Sequence, residues 1–278
     1  MLKQRVVTAV ALLVILLAVL LAPTMLPFRI FMAVAIGLAA WEWARLTGYQ
    51  GLATYLWAGV TLCACITMAA IGWPDARHGA VMGLYTVVSL AWIGGGAFLL
   101  RSGVDVWQRL PQLARMAFGV LSLSTGWLAM VQLHSYGIVF LLSVLALVWA
   151  ADIGAYFAGK AFGKRKLAPT ISPGKSWAGV YGGMVAGWVL LLVGAFMVAA
   201  PNFYSSLSQR MPLWAVWLAV VVLVAMSVVG DLVESLMKRS MGMKDSSQLL
   251  PGHGGVLDRV DGLLPVLPMA MALILYLE

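Results

Sequence analysis

Nine apolar runs, each close to the length of a bilayer crossing, divide this sequence from end to end. They cover approximately residues 6–22, 28–43, 52–72, 79–100, 116–133, 138–157, 177–200, 213–229 and 263–277. A transmembrane helix needs roughly 20 such residues. In lipid only a helix or a closed barrel satisfies its own backbone, and runs of this length fit helices. Charged residues make up 10% of the chain, against about 25% in soluble domains. The expected fold is therefore all-α, a polytopic membrane protein with about nine transmembrane helices in one integral domain, residues 1–278. Pro23, Pro27, Pro74, Pro111, Pro201 and Pro212 fall between the runs, where a missing backbone donor does least harm. Lys3 and Arg5 precede the first run, and Pro23 rather than a small-residue cleavage site follows it; this reads as an uncleaved signal anchor.

Alternating the spans from a cytoplasmic N-terminus places 15 of the 18 Lys and Arg residues on the cytoplasmic side. Only Arg29, Arg77 and Arg210 fall outside. The asymmetry obeys the positive-inside rule, would collapse if one span were missed, and puts the C-terminus outside. The net charge of +8 is spread over loops with no basic arm. That disfavours nucleic acid as a partner and favours anionic lipid headgroups and phosphorylated substrates. Cys63 and Cys65, on different faces of one helix, read as small packing residues. His78 and His134 are assigned to solvated loops, and Glu42 is expected to pair locally with Arg45.

Polar chemistry is concentrated in residues 152–176 and 231–261, so residues 1–135 read as scaffold and 136–278 as the catalytic part. Asp231, Glu234, Asp245, Asp258 and Asp261 are five of the ten acidic residues in the chain, and Lys238, Arg239, Lys244 and Arg259 share their segment. Burying nine charges at span centres would cost on the order of 25 kcal/mol. The segment must therefore line water, substrate or protein. If the eighth helix continues, Asp231, Glu234 or Ser235, and Lys238 fall on one face. Asp258 and Asp261 lie one turn apart at the opening of the ninth span. Two helix ends from opposite directions would bring Asp231 and Asp258 together. Few, hard oxygen ligands beside cations suit Mg²⁺, which keeps waters and bridges to phosphates; the plain alternative is an internal salt-bridge network. Between the carboxylates, His253, Gly254 and Gly255 form a glycine turn with the character of a phosphate cradle, flanked by Lys244, Asp245 and Arg259. His253 is a phosphate donor, a proton carrier or a loop brace.

In the other stretch Asp152 sits inside an apolar helix, where an acid marks a functional site by default. Lys160, Lys164, Arg165 and Lys166 follow, and the latter three read as topology determinants. Gly174-Lys175-Ser176 is not a P-loop, because the glycine expected five residues before Gly174 is Pro169. Ser172 and Lys175 are the candidates for touching a nucleotide or phosphate; Trp177 marks the interface or stacks.

The stretch from Ser235 to Asp261, S-L-M-K-R-S-M-G-M-K-D-S-S-Q-L-L-P-G-H-G-G-V-L-D-R-V-D, resembles the long signature of the bacterial phosphatidate cytidylyltransferase (CDP-diacylglycerol synthase) family. Gly230-Asp231-Leu232-Val233-Glu234, Ala151-Asp152-Ile153-Gly154-Ala155-Tyr156 and Ser172-Pro173-Gly174-Lys175-Ser176-Trp177 match as well, while Ala178 stands where many members carry Glu or Gln. The resemblance implies the reaction CTP + phosphatidate → CDP-diacylglycerol + pyrophosphate. It also implies Mg²⁺ dependence with one or two metal ions, Asp231 and Asp258 as metal-binding aspartates, a funnel open to cytoplasm and bilayer, a homodimer, and a bacterial inner-membrane location. Both reactants are anions, so the residue chemistry asks for cations: metal at Asp231, Asp258 and Asp261, and Lys175, Lys238, Arg239, Lys244 and Arg259 for the remainder. The nucleophile is already an oxyanion and needs no strong base.

Two rivals make different demands. A CDP-alcohol phosphotransferase-like enzyme would carry a D-G-x-x-A-R pattern, which Asp261-Gly262-Leu263-Leu264-Pro265 does not supply. A cation-coupled transporter using Asp152 and Asp231 would show inverted repeats with broken helices in both halves, whereas polar chemistry here is confined to the second.

Overall fold

The computed structural model describes residues 2–278, with side chains from residue 6 onward; the side chains of Lys3 and Arg5 in the charge count lie outside the described residues. In chain order the elements are α1 (Leu2–Leu20), α2 (Leu26–Leu46), α3 (Leu52–Ala70), α4 (Ala80–Ser102), α5 (Val106–Arg109), α6 (Gln112–Ser135) and α7 (Ile138–Phe162). They continue as β1 (Lys166–Ala168), β2 (Ser172–Ser176), α8 (Trp177–Phe196), α9 (Phe203–Arg210), α10 (Leu213–Ser240), α11 (Leu257–Val260) and α12 (Leu263–Leu277). The fold is all-α and polytopic. Seven helices (α2, α3, α4, α6, α7, α8 and α10) are long and apolar enough to cross a membrane. The first and ninth expected spans correspond to shorter apolar helices, Val6–Leu20 and Leu263–Leu277.

The middle of the bundle is made by α6 and α12. Most of α12 is buried, from Leu263 to Leu275, and it packs on α4, α6 and α10. Helix α6 carries Gly119, Ser122, Ser124, Thr125 and Gly126, all buried. Its moderate hydropathy follows from facing protein rather than lipid. Gly119 lies where a side chain would strike the Trp43 indole. The other close approach is α7 on α8. A Cβ at Gly154 would sit 2.5 Å from the Gly182 carbonyl oxygen, and one at Gly182 would strike Ala158. Small residues let the two backbones touch, the usual basis of tight packing in lipid.

Loops gather at two ends. At one, Trp107 donates to Leu46 O at 2.8 Å, Arg45 to Ser246 O at 3.3 Å, and Arg239 to Ile171 O at 3.4 Å. At the other, Arg77 donates to Ser135 at 2.8 Å, Tyr136 to Glu278 at 2.7 Å, and Asn202 caps α9. His134 is not a loop residue. It lies in the last turn of α6, its ring stacked 4.4 Å from Phe28. Of the two cysteines, Cys65 is buried and Cys63 exposed.

Three features shape the site end. Helix α10 runs on past residue 229 as one 28-residue rod, about 42 Å long against roughly 30 Å of hydrocarbon. Residues 163–176 fold back as an antiparallel hairpin, Lys166 opposite Ser176 and Ala168 opposite Ser172. Ser176 then caps α8 by accepting from the Gly179 N–H at 3.2 Å. Two strands do not alter the all-α class.

Candidate active site

Helices α7, α8 and α10 and the hairpin enclose a cavity of about 540 Å³. Asp152, Tyr156, Lys160, Lys175, Ser176 and Asp231 supply its polar lining. The α7–α8 crossing holds Asp152 on one wall, and β2 carries Lys175 across to α10, where its Nζ meets Asp231 Oδ2 at 2.6 Å. Asp231 lies roughly 27 Å along the α10 axis from Leu213, near the edge of the hydrocarbon. The expected face exists on the continued helix: Ser235 donates to Asp231 at 3.3 Å, and Lys238 reaches Glu234 at 2.5 Å.

A second cluster adjoins the first. Lys238 also binds Asp258 Oδ1 at 2.6 Å. Asp258 Oδ2 accepts from the Ser246 N–H (3.1 Å), the Ser246 hydroxyl (2.9 Å) and the Gly255 N–H (2.7 Å). Burial pushes the Asp258 carboxyl up, but the hydrogen bonds from Lys238 and the Gly255 N–H, with the Lys238 charge, outweigh it and hold it below its ordinary value. Asp258 thus closes the loop of residues 246–257 at its base. Gly254 sits there at φ +82°, where a Cβ would clash with Asp258 Oδ2 at 2.6 Å.

Asp261 lies between the clusters. Its carbonyl oxygen rests against Gly230, where any side chain would strike it. Burial and then the neighbouring Asp231 charge raise the Asp261 carboxyl to about 7. It makes no ion pair among the described residues. Glu234 adds a buried Oε1 with no hydrogen-bond partner.

The remaining candidates divide. Arg259 donates to the His253 carbonyl at 3.0 Å and is exposed. His253 Nδ1 lies 3.4 Å from Pro251 O. Arg239 braces the hairpin through Ile171 O, while Lys244 and Asp245 are exposed on the turn after α10. Ser172 is half-buried in β2. Glu42, expected to pair with Arg45, instead accepts from Ser247 Oγ, Val256 N and Leu257 N across the bundle. With Ser246 it is the part of the site missed in the sequence; its only signal was an acid at the end of an apolar helix.

Among the described residues no three His, Cys, Asp or Glu side chains converge as a ready-made metal centre. The donor set nonetheless fits a hard cation that takes one or two carboxylates and completes its shell with water and phosphate. Asp261 is raised by burial and then by the Asp231 charge, and one Glu234 oxygen is unpartnered. Both conditions are relieved by positive charge.

A helical membrane bundle that holds carboxylates and lysines together in a cavity at one end defines a class: membrane enzymes that act on phosphate-bearing substrates. The chain belongs to the cytidylyltransferase family, whose model matches residues 3–277. It is 40% identical to the phosphatidate cytidylyltransferase of Pseudomonas aeruginosa over 99% of this chain and 97% of that protein. It is 38% identical to the phosphatidate cytidylyltransferase of Haemophilus influenzae over 96% of each chain. A Brucella suis protein of the same name is 37% identical over 90% of this chain and 83% of its own length.

Proposed function

We propose that this chain transfers CMP from CTP to phosphatidate, giving CDP-diacylglycerol and pyrophosphate, in a bacterial inner membrane with the site end in the cytoplasm. One observation carries the reading: Lys175 and Asp231 are paired at 2.6 Å on the wall of a cavity that joins the membrane-spanning helices to the loop end. One substrate is water-soluble and the other lipid-anchored, so the reaction belongs at such a boundary. The charge asymmetry of the loops supports the cytoplasmic assignment.

The obstacle is repulsion, since CTP carries roughly four negative charges and phosphatidate up to two. Lys175 and Lys160 face the cavity and offset part of this charge. Lys238, held by Glu234 and Asp258, offsets the charge of those two carboxylates at the base of the glycine turn. In the turn at His253, Gly254 and Gly255 the His253 N–H donates to Leu250 O and the Gly255 N–H to Asp258, which leaves the Gly254 N–H to meet a phosphate oxygen. Arg259 borders the turn through the His253 carbonyl, and Arg239 and Lys244 are exposed near the end of α10. The attacking group is a phosphate oxyanion of phosphatidate; it displaces pyrophosphate in line at the α-phosphorus of CTP, and no side chain need take a proton. Asp231, Asp258 and Asp261 are the carboxylates that would hold Mg²⁺, and Asp261 is the one of the three that makes no ion pair among the described residues. When bound, the ion supplies charge stabilisation for the leaving pyrophosphate. The family resemblance supports a homodimer.

The test is direct. Purified protein in detergent receives labelled CTP, phosphatidate and Mg²⁺, and lipid-soluble CDP product is measured. Wild type is expected to form product, chelation of Mg²⁺ to stop it, and Asp231→Asn and Asp258→Asn to lose about 100-fold or more at unchanged expression. No CTP-dependent lipid product under several lipid conditions rejects the reading.

A further inference from the structure

The loop of residues 246–257 is gripped from two sides by two carboxylates. On the side toward α10, Asp258 accepts from the Ser246 and Gly255 N–H groups and the Ser246 hydroxyl. On the other side α2 supplies Glu42, fully buried. Its Oε1 accepts from Ser247 Oγ at 2.5 Å and from the Val256 N–H at 3.0 Å; its Oε2 accepts from the Leu257 N–H at 2.6 Å. One turn further along α2, Arg45 donates to Ser246 O at 3.3 Å. The two grips close on Gly255, where a Cβ would strike both Glu42 Oε1 and Ser246 Oγ. A buried charge is costly unless it is fully hydrogen-bonded. All three donors to Glu42 come from this loop, so the carboxylate and the loop conformation determine each other.

We infer that Glu42 is a positioning residue for the reaction: from the first half of the chain it fixes the glycine turn and Asp258 in the arrangement that meets substrate phosphates. This rests on the nucleotidyl-transfer reading above. The chemistry explains the side-chain type. Two consecutive backbone N–H groups and one hydroxyl converge on a single point, and only a carboxylate offers two acceptor oxygens to all three. Glutamine keeps the shape but turns an NH₂ group against one of these donors. Aspartate keeps the charge but is one methylene too short.

Glu42→Gln and Ser247→Ala in the full-length protein in detergent are compared with wild type by two readouts. The first is hydrogen–deuterium exchange over residues 246–257 without substrates. The second is steady-state kinetics with CTP and phosphatidate. For Glu42→Gln the expected result is faster exchange at Val256 and Leu257, a kcat lower by about tenfold or more, and a KM for phosphatidate within about twofold of wild type. Ser247→Ala removes one donor and gives a smaller change in both; if Glu42→Gln does not fold, it carries the comparison alone. Faster exchange with unchanged kcat makes Glu42 a brace of the fold and overturns the inference, as does unchanged exchange. A wild type without CDP-lipid product overturns the functional reading and the positioning role with it, while exchange still reports the grip.

Discussion

Lys238 concentrates the electrostatics of the site in one side chain. Its ammonium lies 2.5 Å from Glu234 and 2.6 Å from Asp258, with 13% of the side chain exposed. Two anions share one cation, so removing the cation leaves two facing carboxylates with little water. Lys238→Met, which keeps the length of the side chain, is expected to cost on the order of 3 kcal/mol. The loss reads as a lower melting temperature in detergent together with loss of product. Lys238→Arg keeps the charge but replaces a point donor by a planar fork, and is expected to fall between. Lys238, Glu234 and Ser235 were legible in the sequence because helical spacing aligns them with Asp231. Ser246 and Glu42 were not. Their partners lie in distant segments or at the base of a loop, and no local pattern announces a contact between α2 and residues 246–257.

Helices α7 and α8 set the width of the cavity, and glycines set their separation. Gly154→Ala puts a methyl group 2.5 Å from the Gly182 carbonyl oxygen, so the helices must part. The expected cost is about 1–3 kcal/mol. Activity is expected to fall further than melting temperature, because Lys175 is carried away from Asp231; a cysteine pair bridging the two helices would report the separation by crosslinking yield. Most spans were legible, since roughly 20 apolar residues in lipid have few alternatives to a helix. Their ends were less so. The apolar run of the eighth span ends near residue 229, and α10 takes the continued course that aligns Asp231 with Lys238, reaching Ser240, because protein contacts replace lipid beyond the hydrocarbon. The β1–β2 hairpin was not foreseen. Its strands are three and five residues long and held by tertiary contacts such as Arg239 to Ile171. The cap of α9 had a signal, Asn202 followed by Ser205, in a segment read only as a connection.

At the scale of the whole molecule the expected orientation puts the site end in the cytoplasm. The orientation predicts a labelling result. In a chain with Cys63 and Cys65 replaced by alanine, Lys164→Cys is expected to resist a membrane-impermeant maleimide in intact cells and to react in inverted vesicles. Arg77→Cys is expected to behave oppositely. The reverse pattern would put the site end outside the cytoplasm. The first half of the chain, read as scaffold, reaches the site directly: Glu42 and Arg45 of α2 hold the loop that Asp258 closes.

The unbroken course of α10 has a physical corollary. A rod without a hinge raises or lowers Asp231 only by tilting or shifting as a whole. The phosphate of a lipid rides at whatever height its acyl chains and neighbours impose. Membrane thickness is then expected to enter the encounter through the tilt of this one helix, and product formation in vesicles of graded acyl length measures it.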